Sequence, residues 1–246
     1  MKTTIKWYGQ SAFEIKVGDQ NLLIDPYFNG NALSPVKAKD FEKVDLIAVT
    51  HGHADHFGDS MEILRNTNAT MICSTVISWY LQLRGFTWAE HRNISMAQGG
   101  TVTEENFRIS MVNAIHPTAL FADEWPELRQ YHQDGGAVGY VIRTPDDISI
   151  YHAGDTDIFS DMQFIERRYH PDIALLPIGG RFTMDWETAI MACEIIKPKI
   201  VIPMHYNTNP ILQVDVDLFI QKMHEAIPDI HVVILQPGEE YCAKED

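Results

Sequence analysis

The stretch Thr50-His51-Gly52-His53-Ala54-Asp55-His56 packs three imidazoles and a carboxylate into one short run. Neither a helix nor a strand gains packing energy from such a cluster. Imidazole suits zinc, iron, nickel or copper, and an added carboxylate admits manganese. Helical zinc-protease sites place their histidines at i and i+4, whereas His51 and His53 stand at i and i+2, a spacing that extended backbone can turn towards one ion. Asp55 and His56 are adjacent and do not easily converge on that same ion. Two ions are the more natural reading, with further ligands drawn from elsewhere. His116 in AIHP, Asp155 in HAGDT and His205 in PMHY have the right character, each where an expected strand runs into a loop.

The elements that must position these residues follow from periodicity and punctuation. TIKWYG, SAFEIKV and NLLIDP read as antiparallel strands at the start. The apolar run VDLIAVT leads into the histidine cluster, followed by a helix through DSMEILRNT, a strand ATMICS and a helix TVISWYLQLRG ended by Gly85. FRISMVNAIH, AVGYVIR and DDISIYH read as strands. Between the first two, the segment 117–136 is longer than most connections and is expected to form a lid. The last third alternates helix SDMQFIERRY, strand DIALLPIGG, helix DWETAIMACEIIK stopped by Pro198, strand KIVIPMH, helix DVDLFIQKMHEAI and strand HVVILQ. This succession predicts an α/β protein of one domain, residues 1–246, with no linker and no internal repeat.

Composition narrows the function classes. The 246 residues are 45% hydrophobic and 22% charged, enough for a substantial core. With 34 acidic against 19 basic residues the formal charge is −15, which argues against a nucleic-acid partner or an anionic membrane surface. The start of the chain alternates charged and apolar residues, unlike a secretory signal, and no apolar window is long enough to span a membrane. Cys73, Cys193 and Cys242 form no C-x-x-C pair, so a reducing cytoplasm is expected. The first two are expected in the core and Cys242 in a tail.

In order along the chain, LLIDP, THGHADH, AIHP, HAGDT and PMHY resemble the signature of the metallo-β-lactamase superfamily of metal-dependent hydrolases. Within it, WYGQSAFEI, LLPIGGRFTMD and IKPKIVIPMHYNT look like uncharacterised cytoplasmic hydrolases related to ascorbate-6-phosphate lactonase. The resemblance implies a four-layer αββα sandwich, two mixed sheets flanked by helices, with the site at one end. It places His51, His53 and His116 on one ion, Asp55, His56 and His205 on a second, and Asp155 between them. The implied reaction is hydrolysis of a small ester, lactone, thioester or phosphoester by a hydroxide bridging two divalent ions, Zn first and Mn or Fe next. Asp55 would also act catalytically, orienting the attacking group or carrying its proton. Asp25 in LLIDP would orient a ligating imidazole from behind, unless it is only a turn aspartate before Pro26.

An aspartate at position 155 resembles thioesterase, lactonase and phosphodiesterase relatives and not the true β-lactamases. Nucleases of the superfamily share it but engage RNA through basic surfaces, which the charge of −15 does not suggest. A small-molecule substrate is therefore expected, with a homo-oligomer possible. The alternatives are a di-iron, oxygen-reducing module, which usually needs a flavin domain, and a non-catalytic metal-binding protein. Substrate contacts are sought at Tyr206, which could donate to an oxyanion or simply pack, and at Arg181 and Thr183. These last two could receive an anionic group, or Thr183 or Asp185 could cap the following helix. His152, three residues before Asp155, is a candidate hydrogen-bonding group behind the site. His91, His170, His224 and His231 read as turn or surface residues, and His132 falls in the expected lid. Gln10 stands where the subgroup commonly has His, so a role for that position does not transfer.

Overall fold

Successive residues of the central strands enter different cores. Leu22, Ile24, Leu46, Ala48 and Ile72 join one apolar cluster, while the intervening Leu23, Ile47, Met71 and Cys73 join another. A strand must show this period of two when both of its faces are covered. Each fully buried Leu or Ile contributes about 1.5–3 kcal/mol on this account. The computed structural model describes residues 1–119 and 135–243, so most of the expected lid, His132 included, lies outside the described residues.

One sheet is built from β1 (Thr3–Trp7), β2 (Phe13–Val17), β3 (Gln20–Ile24), β4 (Leu46–Ala48), β5 (Thr70–Ser74) and β6 (Asn93–Met96). The other contains β7 (Thr101–Glu104), β8 (Phe107–Asn113), β9 (Val138–Arg143), β10 (Ser149–His152), β11 (Ile173–Pro177), β12 (Ile200–Met204) and β13 (His231–Val232). A last strand, β14 (Glu240–Cys242), returns to pair antiparallel with β1. Cys242 therefore sits in a sheet, correcting the expectation of a tail. Cys73 and Cys193 are core residues, as expected.

Each sheet runs through antiparallel pairs and then parallel ones: from β14 to β3 and then to β6, and from β7 to β10 and then to β13. Although the sequence shows no repeat, the pairing pattern does repeat. The shared core between the sheets joins Phe13, Ile15 and Ile24 to Met111, Tyr140 and Ile150. Outside the first sheet, α2 (Ser60–Asn66) and α3 (Thr75–Leu83) contribute Ile63, Leu64, Ile77 and Leu81 to the second cluster. Against the other sheet lie α4 (Met162–Tyr169), α5 (Trp186–Ile196) and α6 (Val216–Ala226), contributing Ile165, Cys193, Ile196, Phe219 and Met223. The α/β architecture, two mixed sheets flanked by helices, is the one expected.

The expected strands and helices form, with β8 ending at Asn113 and β13 confined to two residues. Three strands, β6, β7 and β14, were not anticipated; all are short and lie at or beside sheet edges. Among the described residues no helix is long and apolar enough to cross a membrane.

Candidate metal centre

At one end of the two sheets, strand ends deliver the polar residues. The chain leaves β4, bends at Thr50 and passes through His51. At His53, whose ψ of 152° is extended, it turns into the four-residue α1 (Ala54–Phe57). This change of backbone separates the ligand types: His51 and His53 precede the helix, and Asp55 and His56 project from its turn. From the other sheet come His116 beyond β8, Asp155 beyond β10 and His205 directly after β12. The sheets are stitched together here by Val138 N–H to Thr50 C=O at 3.1 Å, His205 N–H to Gln10 C=O at 2.9 Å and Tyr140 O–H to Val49 C=O at 2.8 Å.

The side chains converge in two groups, each with its donor atoms within 4.8 Å of one another: His51, His53, His116 and Asp155, then Asp55, His56 and His205. Asp155 also reaches the second group. Its Oδ1 lies 3.2 Å from His56 Nε2, and its Oδ2 lies 3.2 Å from His205 Nε2 and 3.6 Å from His116 Nε2. Within the first group, His53 Nδ1 lies 2.9 Å from His51 Nε2 and 3.3 Å from His116 Nε2.

Asp25 organises the imidazoles from behind. Its carboxylate accepts from His56 Nδ1 at 2.7 Å and from the Thr50 amide and hydroxyl at 2.8 and 2.7 Å. Because the Thr50 hydroxyl donates to Asp25, it accepts from His51 Nδ1, 3.0 Å away. One carboxylate thus sets two tautomers, leaving the Nε2 lone pairs of His51 and His56 facing the site. Asp25 holds a left-handed backbone, φ 48°, as do Gln10 at 53° and His205 at 57°. Such conformations are costly for residues with a Cβ and gather where geometry serves a site.

Buried polar atoms normally have hydrogen-bond partners, yet among the described residues His56 Nε2, His205 Nδ1 and Nε2, and Asp155 Oδ1 make no hydrogen bond; the two Nε2 atoms approach the Asp155 carboxylate only as charges. Orphaned imidazole and carboxylate atoms turned towards one another are the donor set a divalent cation would satisfy. Charge tells the same story. Burial disfavours ionised Asp155, but His205 and His56 outweigh it and hold the carboxyl well below the usual range. Burial also opposes charge on His205, which Asp155 nevertheless raises to about 9. His56, likewise buried, is raised well above its ordinary value by Asp155, Asp55 and Asp25. His51 is pushed down by burial and by His56, and His116 chiefly by burial. Without a cation, the protein holds protons where a cation would sit.

The candidates behind and around the site fall into place unevenly. His152 donates from Nε2 to the Ser11 carbonyl at 3.0 Å and accepts from the Gly154 amide at 3.2 Å, so it braces the turn that presents Asp155. Tyr206 packs instead of pointing at the site: its ring stacks on Trp7 at 5.5 Å, and both line a separate cavity. Of the two proposed caps for α5, Asp185 performs the task, accepting from Thr188 N–H at 2.8 Å. Arg181 and Thr183 line a pocket that shares His116, Pro117 and Phe182 with the main one. The main pocket, about 590 Å³, is bordered by His53, Asp55, His116, Asp155, Phe182 and His205. His91, His170, His224 and His231 are exposed, as expected.

Sequence reasoning gave no part to Thr50, Thr208 or Gln10. Thr50, immediately before His51, was the most accessible of these, since a hydroxyl beside a ligand is well placed to relay a tautomer. Gln10 is almost fully buried and donates from Nε2 to Asp55 Oδ2 at 2.8 Å.

A family model described as a beta-lactamase superfamily domain matches residues 4–205. Relatives named UPF0173 metal-dependent hydrolase from Methanopyrus kandleri and Methanosarcina mazei are each 42% identical, covering 96% of this chain and 98% and 96% of theirs. The structure of Igni18, described as a metallo hydrolase from Ignicoccus hospitalis, superposes with a TM-score of 0.86 at 33% identity, covering 100% of both chains.

Proposed function

Because this chain belongs to the beta-lactamase superfamily and its full-length relatives are metal-dependent hydrolases, we propose that it is a hydrolase holding two divalent ions and cleaving a small ester, lactone, thioester or phosphoester. His51, His53 and His116 would hold one ion, Asp55, His56 and His205 the other, with Asp155 shared. The observation that carries this reading is the buried Asp155 carboxylate, whose oxygens lie 3.2–3.6 Å from imidazoles of both groups. Bound there, such ions supply a nucleophilic water at neutral pH and polarise the scissile oxygen.

The remaining work falls to side chains. Asp55 borders the pocket, and Gln10 engages one of its oxygens. Its other oxygen is available to orient the attacking group or to carry a proton to the leaving group. Phe182 and Pro117 supply apolar wall against which a small substrate can be desolvated. A pocket of about 590 Å³ suits a small molecule, and the formal charge of −15 disfavours nucleic acid and anionic membranes as partners. The buried thiols of Cys73 and Cys193 suit a reducing cytoplasm.

The test is elemental analysis of protein purified without chelators, followed by a screen of lactones, thioesters and phosphodiesters. Two zinc or manganese ions per chain and turnover of one substrate class are expected. D155A should lose both turnover and at least one ion. Two ions still tightly held by D155A would overturn the shared role of Asp155. Two irons with oxygen consumption would favour the redox alternative.

A further inference from the structure

The turn between β1 and β2 carries Gln10 into the site. The residue is 3% exposed and adopts φ 53°, a left-handed backbone that disfavours a Cβ. Such a conformation persists only where surrounding contacts hold it. The contacts here are specific. Nε2 donates to Asp55 Oδ2 at 2.8 Å, and Oε1 accepts from the Thr208 hydroxyl, which decides which end of the amide faces the carboxylate. The backbone carbonyl accepts from the His205 amide at 2.9 Å and from the Trp7 indole at 3.0 Å. One residue therefore grips Asp55 by its side chain and His205 by its main chain. None of its hydrogen-bond partners is His51, His53 or His116.

We propose that Gln10 is the positioning residue of the Asp55–His56–His205 group, setting the affinity of one ion and leaving the other untouched. The inference rests on the two-ion reading above. Its physical basis is directional: an amide N–H can only donate, and it engages Oδ2, the oxygen of Asp55 that lies 3.6 Å from His205 Nε2 and 3.7 Å from His56 Nε2, fixing that oxygen against the other two donors while a further lone pair stays open to a cation. The amide oxygen is already used by Thr208, so Gln10 does not compete for the ion. Losing this donor frees Asp55 to rotate, and orienting groups of this kind typically govern metal affinity by about 10–100-fold.

The experiment is a calorimetric titration of the metal-free full chain with Zn²⁺, counting ions and resolving their affinities, with no substrate required. Wild type should bind two ions. Q10A should weaken one by about 10–100-fold and keep the other at wild-type affinity. Q10N guards against a folding defect, since Asn tolerates left-handed backbone while its amide is one methylene too short to reach Asp55. It should show the same selective loss at an unchanged melting temperature. T208V should weaken the same ion by less, and adding it to Q10A should cost nothing further, because both act through one hydrogen-bond chain. Wild-type affinity for both ions in Q10N, or equal weakening of both, overturns the proposal alone. Only one ion in the wild type overturns the two-ion reading and this inference with it.

Discussion

The two halves of the molecule repeat one pattern of strand pairing but deliver their donors differently. In the first half a single loop after β4 carries His51, His53, Asp55 and His56, and a side-chain network through Asp25 and Thr50 orients the buried imidazoles. In the second, His116, Asp155 and His205 leave three separate strand ends, where close backbone packing holds the turns. A Cβ on Gly179 would lie 2.2 Å from the His205 carbonyl oxygen, and one on Gly154 would lie 2.7 Å from that of Val138. Close main-chain crossing is common to both, since a Cβ on Gly58 would lie 2.5 Å from the Pro26 carbonyl oxygen; the difference is that the clustered motif adds a side-chain network to it.

The largest effect should come from violating the second half's packing. In G179A the added methyl meets a backbone atom that cannot rotate away, so His205 or the β11 end must shift. Overpacking of this kind costs about 1–3 kcal/mol. Because the displaced residue is a donor, metal content should fall as well as the denaturation midpoint. Wild-type metal content in a folded G179A protein would show that His205 is not held in this way.

The matching change in the first half is D25N. Asn tolerates the left-handed backbone at position 25, so the fold should survive. The amide can no longer accept from both His56 and Thr50 as the carboxylate does, and the tautomers of His56 and His51 lose their anchor. Metal affinity should drop by about 10–100-fold, and stability by about 1–3 kcal/mol because the buried amide NH2 is turned against a donor. Titration of the metal-free variant with Zn²⁺ checks this, and an unchanged affinity would remove Asp25 from the network's centre.

The difference in delivery also decides what the sequence could reveal. Histidines two residues apart beside an aspartate are conspicuous, because no packing requirement produces them. His116, Asp155 and His205 are ordinary turn residues in isolation and gain meaning only beside that cluster. Gln10 and Thr208 were not legible, since their role depends on a left-handed turn and on the closeness of two sheets, which no local pattern encodes. Tyr206, next to His205, points to Trp7 because its strand-end geometry sends neighbouring side chains apart. The inner strands announced themselves through continuous apolar runs such as NLLI and IALLP. The edge strands did not: β7 is Thr-Val-Thr-Glu, and β14 finds its partner at the opposite end of the chain.

A third, smaller effect separates the two donor groups by pH. In the metal-free protein His205 is raised to about 9 and His56 is raised too, whereas His51 and His116 are lowered. At neutral pH an ion entering the Asp55–His56–His205 group must displace protons, and one entering the other group meets imidazoles already neutral. Affinity at the first of these should therefore rise with pH at least through about 9, changing about tenfold per pH unit for each proton displaced. Binding measured from pH 6 to 9 should show one ion lost on acidification well before the other. Parallel loss of both would erase the distinction.

The smallest effect concerns what joins the halves away from the site. Asp146, in the turn between β9 and β10, accepts from the Thr3 hydroxyl at 2.6 Å and the Thr3 amide at 3.2 Å, tying the second sheet to the first strand of the other. It also accepts from the Thr144 hydroxyl at 2.7 Å. Its slight burial opposes ionisation, but these bonds prevail and lower its pKa. A carboxyl depressed on folding contributes stability above its unfolded value, and that stability is lost as pH falls through the folded one. D146A should therefore lower stability by about 1 kcal/mol at neutral pH, as expected for a partly exposed hydrogen-bonded group. The difference from wild type should shrink once pH falls below the unfolded carboxyl value, about 3.9, and on through the lower folded one. Metal content should not move, because the tie acts on the joint between sheets and not on either donor group. A denaturant titration at the two pH values measures the first part and elemental analysis the second; loss of metal in D146A would mean that the sheets and the site are coupled through this turn.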